Sequence, residues 1–212
     1  MADKEILIFV EGPSDKVFLE VYLYFLEDFP IKNFKVKDVK GKDNLSKRLL
    51  EIEKYDKTLI IFDANKDYES NKKEILTVVS KRKQTISEEQ IFLFPNNQDD
   101  GDLETLLLKI AKHDEFLKCF EGYLECIKNK EHHEPIKNIR KNMLYAYLEA
   151  LGLENLTKTN IGVFDDKGKI KEKYKEEYEK LKEVIDFNSK SLISLKNFLG
   201  QFAENNQKTN LF

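Results

Sequence analysis

The chain has 212 residues, of which 41% are hydrophobic and 35% are charged. This composition excludes a disordered chain and suffices for one substantial core, or for an α/β domain with a smaller helical addition. The 36 basic and 39 acidic residues nearly balance, at a net charge of −3. That balance argues against a module that binds nucleic acid through a basic surface alone.

Apolar runs in this sequence are short. The first run, Ile6 to Val10, has only five residues, too few for a signal peptide, and a membrane span needs about eighteen or more. The two cysteines, Cys119 and Cys126, are seven residues apart in a helical pattern, and we interpret them as core thiols. We therefore expect a cytoplasmic protein that does not contact a membrane.

The run Ile6 to Val10 predicts the first strand, which ends at Glu11 and Gly12. An apolar run without polar alternation is typical of a strand that is covered on both faces of a parallel sheet. A helix follows, with Ser14 as its expected N-cap. Because the free N–H groups of that helix start would face the same space as Glu11, the candidate substrate-binding residues there are Gly12, Ser14 and Lys16.

Strands and helices continue to alternate through the first half of the chain. The predicted elements are a strand at 34–39, a helix at 44–54, a strand at 58–62, a helix at 70–82 and a strand at 91–94. This order predicts a Rossmann-like α/β fold with a mainly parallel four-stranded sheet and helices on both faces.

The strand at 58–62 is followed by three polar residues, Asp63, Asn65 and Asp67. Ligands of open α/β sheets bind beyond the carboxyl ends of the strands, so Glu11 and Asp63 are expected to meet at one edge. Like charges a few ångströms apart repel by roughly 1 to 4 kcal/mol, and a divalent cation removes that repulsion. Oxygen ligands of this kind suit Mg²⁺ or Mn²⁺. The alternative is chance placement in a chain that has 39 acidic residues.

A polar loop, Pro95 to Glu104, leaves the fourth strand at the same edge and leads into another helix. Asp102 and Glu104 are candidates to complete a metal site there. Acidic residues in a first helical turn are also favoured by the helix dipole alone, so both interpretations stand.

From Phe116 onward the alternation of strands and helices no longer appears. The expected helices lie at 116–127, from Pro135 to Gly152, at 171–182 with a solvated surface, and at 192–202. An exposed loop or a small hairpin is expected at 157–169. We therefore expect an α/β domain at 1–110 and a C-terminal helical region at 111–212, packed on or beside it. Three basic residues of that region are expected on one helical side and are candidates for phosphate contacts, with a solvated helix face as the alternative: Lys137, Arg140 and Lys141.

Two motifs of the α/β region carry a family resemblance. Glu11-Gly12 with Asp15 after the first strand, and Asp63-Ala64-Asn65 after the third, resemble the Toprim fold that topoisomerases, primases and OLD-family nucleases share. The order of elements agrees across roughly residues 4–108. We therefore expect a Toprim-like sheet.

The chain looks more closely like small stand-alone Toprim-like proteins of bacteria and archaea, which are OLD-nuclease-like and have no assigned function. They share a Pro-Asn-Asn-Gln loop before a Gly-x-Leu-Glu helix start, here within 95–104. The segments Ile185 to Asn188 and Phe198-Leu199 are similar to theirs too.

The Toprim resemblance implies roles for the matching residues. It implies that Glu11 is a general acid/base or a metal ligand, and that Asp63 and the acid after it bind Mg²⁺. The second Asp of the motif is replaced here by Asn65. An amide oxygen coordinates Mg²⁺ without adding charge, and Asp67 is the alternative ligand.

Two functions follow as expectations. The preferred one is a Mg²⁺- or Mn²⁺-dependent phosphodiesterase that cleaves DNA or RNA, with Glu11 and Asp63 as catalytic residues. The expected metal ligands are Glu11, Asp63, Asn65, Asp67, Asp102 and Glu104. The alternative is a non-catalytic, nucleotide- or nucleic-acid-binding regulatory protein, which by analogy with OLD nucleases works with a separate ATPase in phage defence. The oligomeric state is open, a homodimer included.

Overall fold

The computed structural model describes residues 6–26, 34–80, 86–157 and 170–207. Its strands are β1 (Ile6–Val10), β2 (Phe34–Asp38), β3 (Lys57–Asp63) and β4 (Ile91–Phe94). They form one sheet in the order β2-β1-β3-β4, and all three pairs are parallel. The predicted α/β class and the four-stranded parallel sheet are therefore confirmed. Since every strand runs the same way, all four carboxyl ends lie at one edge.

The α-helices are α1 (Pro13–Phe25), α2 (Leu45–Arg48), α3 (Tyr68–Val79), α4 (Leu103–Lys109), α5 (Asp114–Lys128), α6 (Ile139–Ala150), α7 (Glu172–Val184) and α8 (Ile193–Gln207). Short 3₁₀ turns lie at Lys42–Asn44, Leu49–Lys54, Glu88–Gln90, Glu154–Thr157 and Lys190–Leu192. The helix expected at 44–54 is thus one α-helical turn between two 3₁₀ turns. No helix in the described ranges is long and apolar enough to cross a membrane.

The chain divides into two compact units. The first, called the sheet unit, comprises residues 1–103 and 189–212, and the second, called the helical unit, comprises 104–188. The last helix, α8, therefore groups with the sheet in space, although the sequence assigns it to the C-terminal helical region. The loop expected at 157–169 lies outside the described residues, except for its first residue.

Both faces of the sheet are covered within the sheet unit. On one face, buried side chains of β1, β3 and β4 form a cluster with residues of α2 and α3: Leu7, Phe9, Ile60, Phe62, Leu93, Leu45, Ile75 and Val79. On the other face, the Phe94 ring lies 6.0 Å from Phe18 of α1, and the Phe92 ring lies 5.3 Å from Phe198 of α8. Two covered faces explain why these strands lack polar alternation.

In the helical unit, Tyr147 of α6 is buried and donates a hydrogen bond to the Val184 carbonyl, 2.6 Å away. The prediction of core cysteines is wrong, because Cys119 and Cys126 are both exposed. They lie on α5, which contributes no fully buried side chain. The apolar pattern of α5 therefore predicted the helix correctly but did not show that its side chains are buried.

The prediction that α6 opens at Pro135 is also wrong, since the helix begins at Ile139. Asn138 has a left-handed backbone with φ of 54°, which breaks the helical path before that point. The Asn142 amide donates to the Lys137 carbonyl at 3.0 Å, so Lys137 lies in the turn before the helix.

One residue, Asn97, makes hydrogen bonds to the outer edge of β4. Asn97 accepts the Leu93 N–H through its amide oxygen at 3.0 Å, and its own N–H donates to the Leu93 carbonyl at 2.7 Å. Asn97 has φ of 65°, a conformation that Asn adopts more readily than most residues. This residue thus pairs with the edge strand as a neighbouring strand would.

Replacing Asn97 with Ala removes the acceptor of the Leu93 N–H and puts a residue with a Cβ but no polar group in the left-handed region. We expect the free energy of unfolding to fall by about 2 kcal/mol, measured by urea denaturation. Asn97→Asp keeps an acceptor and tolerates this backbone, so it should lose less than about 1 kcal/mol. Equal stability of Asn97→Ala and the wild type would contradict this role of the side chain.

Candidate functional site

Polar residues collect at the carboxyl edge of the sheet. Glu11 follows β1, Asp38 ends β2, Asp63 ends β3, and the loop 95–102 follows β4. These positions come from four separate stretches of sequence, and the parallel sheet brings them to one side of the sheet unit. We call this the carboxyl edge.

The Glu11 side chain is the least well satisfied group of this edge. Its Oε2 atom is buried and has no hydrogen-bond partner. The Glu11 carboxylate accepts a hydrogen bond from the backbone N–H of Asp63. The main chain fixes the residue as well, because the Gly41 N–H donates to the Glu11 carbonyl at 2.9 Å.

Burial raises the pKa of the Glu11 carboxyl above its usual value, because the charged form loses hydration. The Asp63 N–H and the Lys42 ammonium act in the opposite direction, and the Asp43 charge adds to the rise in the pKa. Glu11 is therefore a carboxylate at a place where the protein disfavours its charge. Perturbed carboxylates in clefts are common at functional sites.

Asp63 joins two loops of the edge. Its Oδ1 atom accepts the backbone N–H of Leu103 at 2.9 Å, which fixes the start of α4 forty residues along the chain. Meanwhile its backbone N–H faces Glu11. The structure therefore puts the Asp63 backbone beside Glu11, whereas the Asp63 carboxylate contacts Leu103. A shared site of the two carboxylates stays a prediction.

The loop after β3 pairs with the loop after β4. Asn65 and Gly101 exchange two backbone hydrogen bonds, of 2.6 and 2.7 Å. The Asp100 carboxylate accepts the Tyr68 N–H at 2.8 Å, which ties the same loop to the start of α3. Asn65 has φ of 57°, and this left-handed conformation favours Asn at the position.

Asp67 is the N-cap of α3, and its Oδ1 atom accepts the Ser70 N–H at 2.9 Å. Asp102 is half-buried just before α4, and Glu104 lies in the first turn of α4 in the helical unit. Within the described residues, no group of three or more His, Cys, Asp or Glu side chains is arranged to hold a metal ion. The expected six-residue ligand set is thus not assembled as one cluster.

Asp38 and Lys42 are two residues of this edge that the sequence analysis missed. The Oδ1 atom of Asp38 is buried without a hydrogen-bond partner, like Oε2 of Glu11. Lys42 contacts the amide oxygen of Asn71 and the Glu74 carboxylate. The Asn71 amide in turn donates to the Ala64 carbonyl at 2.7 Å, so Lys42 is tied to the loop after β3. The one sequence signal was the Gly-Lys pair that follows β2.

The turn after Glu11 differs in detail from the prediction. Gly12, not Ser14, is the N-cap of α1, because Pro13 lacks an N–H and suits the first helical position. The Gly12 N–H donates to the buried Asp15 carboxylate at 2.7 Å. Lys16 pairs with Glu20 at 3.5 Å. Gly12, Ser14 and Lys16 lie at the carboxyl edge, and their substrate-binding role stays a prediction.

The basic residues expected to steer phosphate lie in the helical unit, and all three are exposed: Lys137, Arg140 and Lys141. Only Arg140 and Lys141 belong to α6, so the expectation of one shared helical side is wrong for Lys137. The Lys141 ammonium lies 5.6 Å from the centre of the Tyr145 ring.

The residues of the carboxyl edge meet some of the requirements of a Mg²⁺ or Mn²⁺ site. Mg²⁺ is usually bound through one or two carboxylates, with waters and a substrate phosphate as its other ligands. Glu11 has a buried oxygen without a partner, and its carboxylate accepts the Asp63 backbone N–H. The Glu11 oxygen therefore suits a cation that water and a substrate phosphate complete, and the described residues do not form a cage made of protein ligands alone.

The raised pKa of Glu11 makes the stability of the fold depend on pH. A carboxyl with a raised folded-state pKa stabilises the fold below its unfolded value of 4.5, and this contribution is lost as the pH rises through the folded-state pKa. We expect Glu11→Gln, which stays neutral, to increase the free energy of unfolding by about 1 kcal/mol at neutral pH in metal-free buffer.

The advantage of Glu11→Gln should disappear when the pH falls below the unfolded value of 4.5. Urea denaturation at neutral and acidic pH, with a chelator present, measures both differences. Glu53→Gln is the matched control because Glu53 is exposed, and it should show no such dependence. A Glu11→Gln difference that is the same at both pH values would contradict a buried charge.

No curated protein and no solved structure matches the chain. A family model, described as "Protein of unknown function (DUF3226)", matches residues 5–204. That match covers both the carboxyl edge and the helical unit, and the chain therefore belongs to the DUF3226 family.

Proposed function

We propose that the protein is a Mg²⁺- or Mn²⁺-dependent phosphodiesterase that cleaves DNA or RNA at the carboxyl edge. The observation that carries the proposal is the buried Oε2 atom of Glu11, which has no hydrogen-bond partner on a carboxylate that accepts the Asp63 backbone N–H. A buried charged oxygen without a partner is costly, and a bound cation would offset that cost. The Toprim resemblance of the same two residues supports the proposal.

In this proposal, Glu11 and Asp63 hold the metal ion, and the amide oxygen of Asn65 or the carboxylate of Asp67 is a further ligand. A bound Mg²⁺ or Mn²⁺ would supply an activated water and neutralise charge on the phosphate. The alternative role of Glu11 is that of a general acid or base instead of a metal ligand, and the raised pKa of its carboxyl suits that role. The hydrogen bond from Leu103 keeps the Asp63 carboxylate oriented.

The cytoplasm is the proposed location. Both cysteines are free thiols and both are exposed on α5. Exposed thiols persist in a reducing compartment, whereas an oxidising one favours disulfides. The proposed partner is nucleic acid.

Metal binding is testable without any substrate. Because a ligand that binds only the folded state stabilises it, Mn²⁺ at about a hundredfold over its Kd should raise the wild-type Tm by roughly 5 to 10 °C. Glu11→Gln and Asp63→Asn should abolish most of this shift, whereas the control Glu53→Gln should keep it. Calorimetric titration of the same proteins gives the affinity. Equal shifts in the wild type and both site variants would contradict the site.

Cleavage is tested with plasmid DNA, single-stranded DNA and RNA in Mg²⁺ or Mn²⁺. We expect the wild type to cleave at least one of them, and Glu11→Gln and Asp63→Asn to lose about a hundredfold or more in rate. Asp67→Asn keeps an N-cap on α3, so its rate shows whether the Asp67 charge contributes to metal binding. Equal activity of the wild type, Glu11→Gln and Asp63→Asn would refute the assignment.

A second function is favoured by the hydrogen bonds of the acidic residues. Asp63, Asp67 and Asp100 each accept a backbone N–H, so their carboxylates have structural uses without a metal ion. In that case the protein is a non-catalytic, nucleotide- or nucleic-acid-binding regulator that works with a separate ATPase in phage defence. A folded protein that binds no metal in calorimetry, yet binds nucleic acid, would favour this function.

A further inference from the structure

A groove of about 650 Å³ lies in the sheet unit, along the outer edge of β4. This volume lies within the range of small-molecule sites. One wall is the loop after β4, and the other is α8. The polar residues of the two walls are Asn96, Asn97, Gln98, Ser194, Asn197 and Gln201.

The α8 wall is a stripe of neutral polar side chains. Ser194, Asn197 and Gln201 are three and four residues apart, a spacing that puts them on one face of the helix. The opposite side of α8 carries the buried Leu195 and Leu199. All three polar side chains are exposed, so their hydrogen-bonding groups are accessible to a ligand.

The groove cannot accept a peptide as an additional β-strand. The Ala64 N–H donates to the Phe94 carbonyl, so Phe92 and Phe94 face β3, and the outward backbone groups of β4 belong to Ile91 and Leu93. The Ile91 N–H already donates to the Glu88 carbonyl. Both outward groups of Leu93 are bonded to Asn97. Three of the four outward backbone groups are therefore occupied, and the walls offer a ligand mainly side-chain amides and hydroxyls.

The charges of the groove disfavour a phosphate group. Lys72 is the one cation among the described lining residues, and its ammonium pairs with Glu88 at 2.8 Å. It also lies 2.9 Å from the Tyr68 hydroxyl. Glu89 is a second acidic lining residue. Amide and hydroxyl groups, in contrast, both donate and accept hydrogen bonds, which matches the edges of nucleobases.

The groove and the carboxyl edge share one loop. Gln98 lines the groove, and Gly101, three residues later, pairs with Asn65. Three residues span at most about 11 Å. A single strand whose phosphate lies near Asp63 could therefore place a neighbouring base in the groove.

We propose that this groove binds an unpaired base of a single nucleic-acid strand. Unpaired bases expose hydrogen-bonding edges that amide side chains can recognise, whereas bases in a duplex are already paired. The inference rests on the proposed function for the class of ligand. It goes further by assigning substrate recognition to residues outside the carboxyl edge.

The test is binding without metal, so that cleavage plays no part. Fluorescence anisotropy with a chelator present compares an oligothymidylate of about ten nucleotides with an abasic strand of the same length and charge. The variant Gln98→Ala/Asn197→Ala removes one exposed amide from each wall. The control Asn129→Ala removes an exposed amide of the helical unit.

We expect the wild type to bind the oligothymidylate about tenfold more tightly than the abasic strand, and the double variant to lose about this factor. The control should bind like the wild type. The proposal is overturned if the wild type binds no oligothymidylate, if the abasic strand binds equally well, or if the double variant keeps wild-type affinity. Wild-type binding to the oligothymidylate, with no cleavage of any substrate when Mg²⁺ or Mn²⁺ is added, would overturn the nuclease assignment and leave the groove proposal intact.

Discussion

The hydrogen bond between the Glu11 carboxylate and the Asp63 N–H is the contact on which the candidate site depends. It joins the ends of β1 and β3, the two central strands of the sheet. Both strands are buried along almost their whole length, so neither end can shift without disturbing the core. Glu11 therefore keeps a position in which its charge is poorly hydrated. The strands hold it there at a cost in stability, which is typical of functional sites.

Around this contact, the acidic residues divide into two kinds. Asp67 and Asp100 accept hydrogen bonds from backbone N–H groups at the start of α3, at ordinary donor–acceptor distances of 2.9 and 2.8 Å. Glu11 and Asp38 instead have a buried oxygen without a partner. The first kind stabilises the loops of the edge, and the second remains available to a ligand. A metal site is most precise when its supporting residues are themselves fixed, and the paired loops after β3 and β4 provide that support.

The sequence predicted the strands and the edge well because their signals are local. An apolar run that stops at an acid defines β1 and β3 in the sequence, and the parallel order puts Glu11 beside Asp63. Features that depend on tertiary contacts could not be predicted from the sequence. Nothing in the sequence around Lys42 indicates its contact with Asn71, and no periodicity could show that the apolar side of α5 stays partly exposed.

The wrong predictions at the starts of α1 and α6 have local causes that the apolar pattern of the sequence does not show. Pro13 moves the N-cap of α1 to Gly12, and the left-handed Asn138 delays α6 until Ile139. The six expected metal ligands failed to cluster for a different reason: proximity in sequence does not set direction. Asp67 is only four residues after Asp63, but it turns to cap its own helix.

Asn65 shows how backbone conformation bears on the chemistry of the edge. The residue stands where the Toprim motif has an acid, which by itself suggests a lost ligand. Its φ of 57° gives a second reason for Asn, since this residue type adopts the left-handed conformation readily. The amide nitrogen lies 3.4 Å from the Asp63 carbonyl, so the amide oxygen is left as a neutral acceptor. In the proposed site, a neutral amide oxygen near Asp63 would add no further repulsion between carboxylates, so Asn65 is compatible with a proposed cation that is held through two charges rather than three.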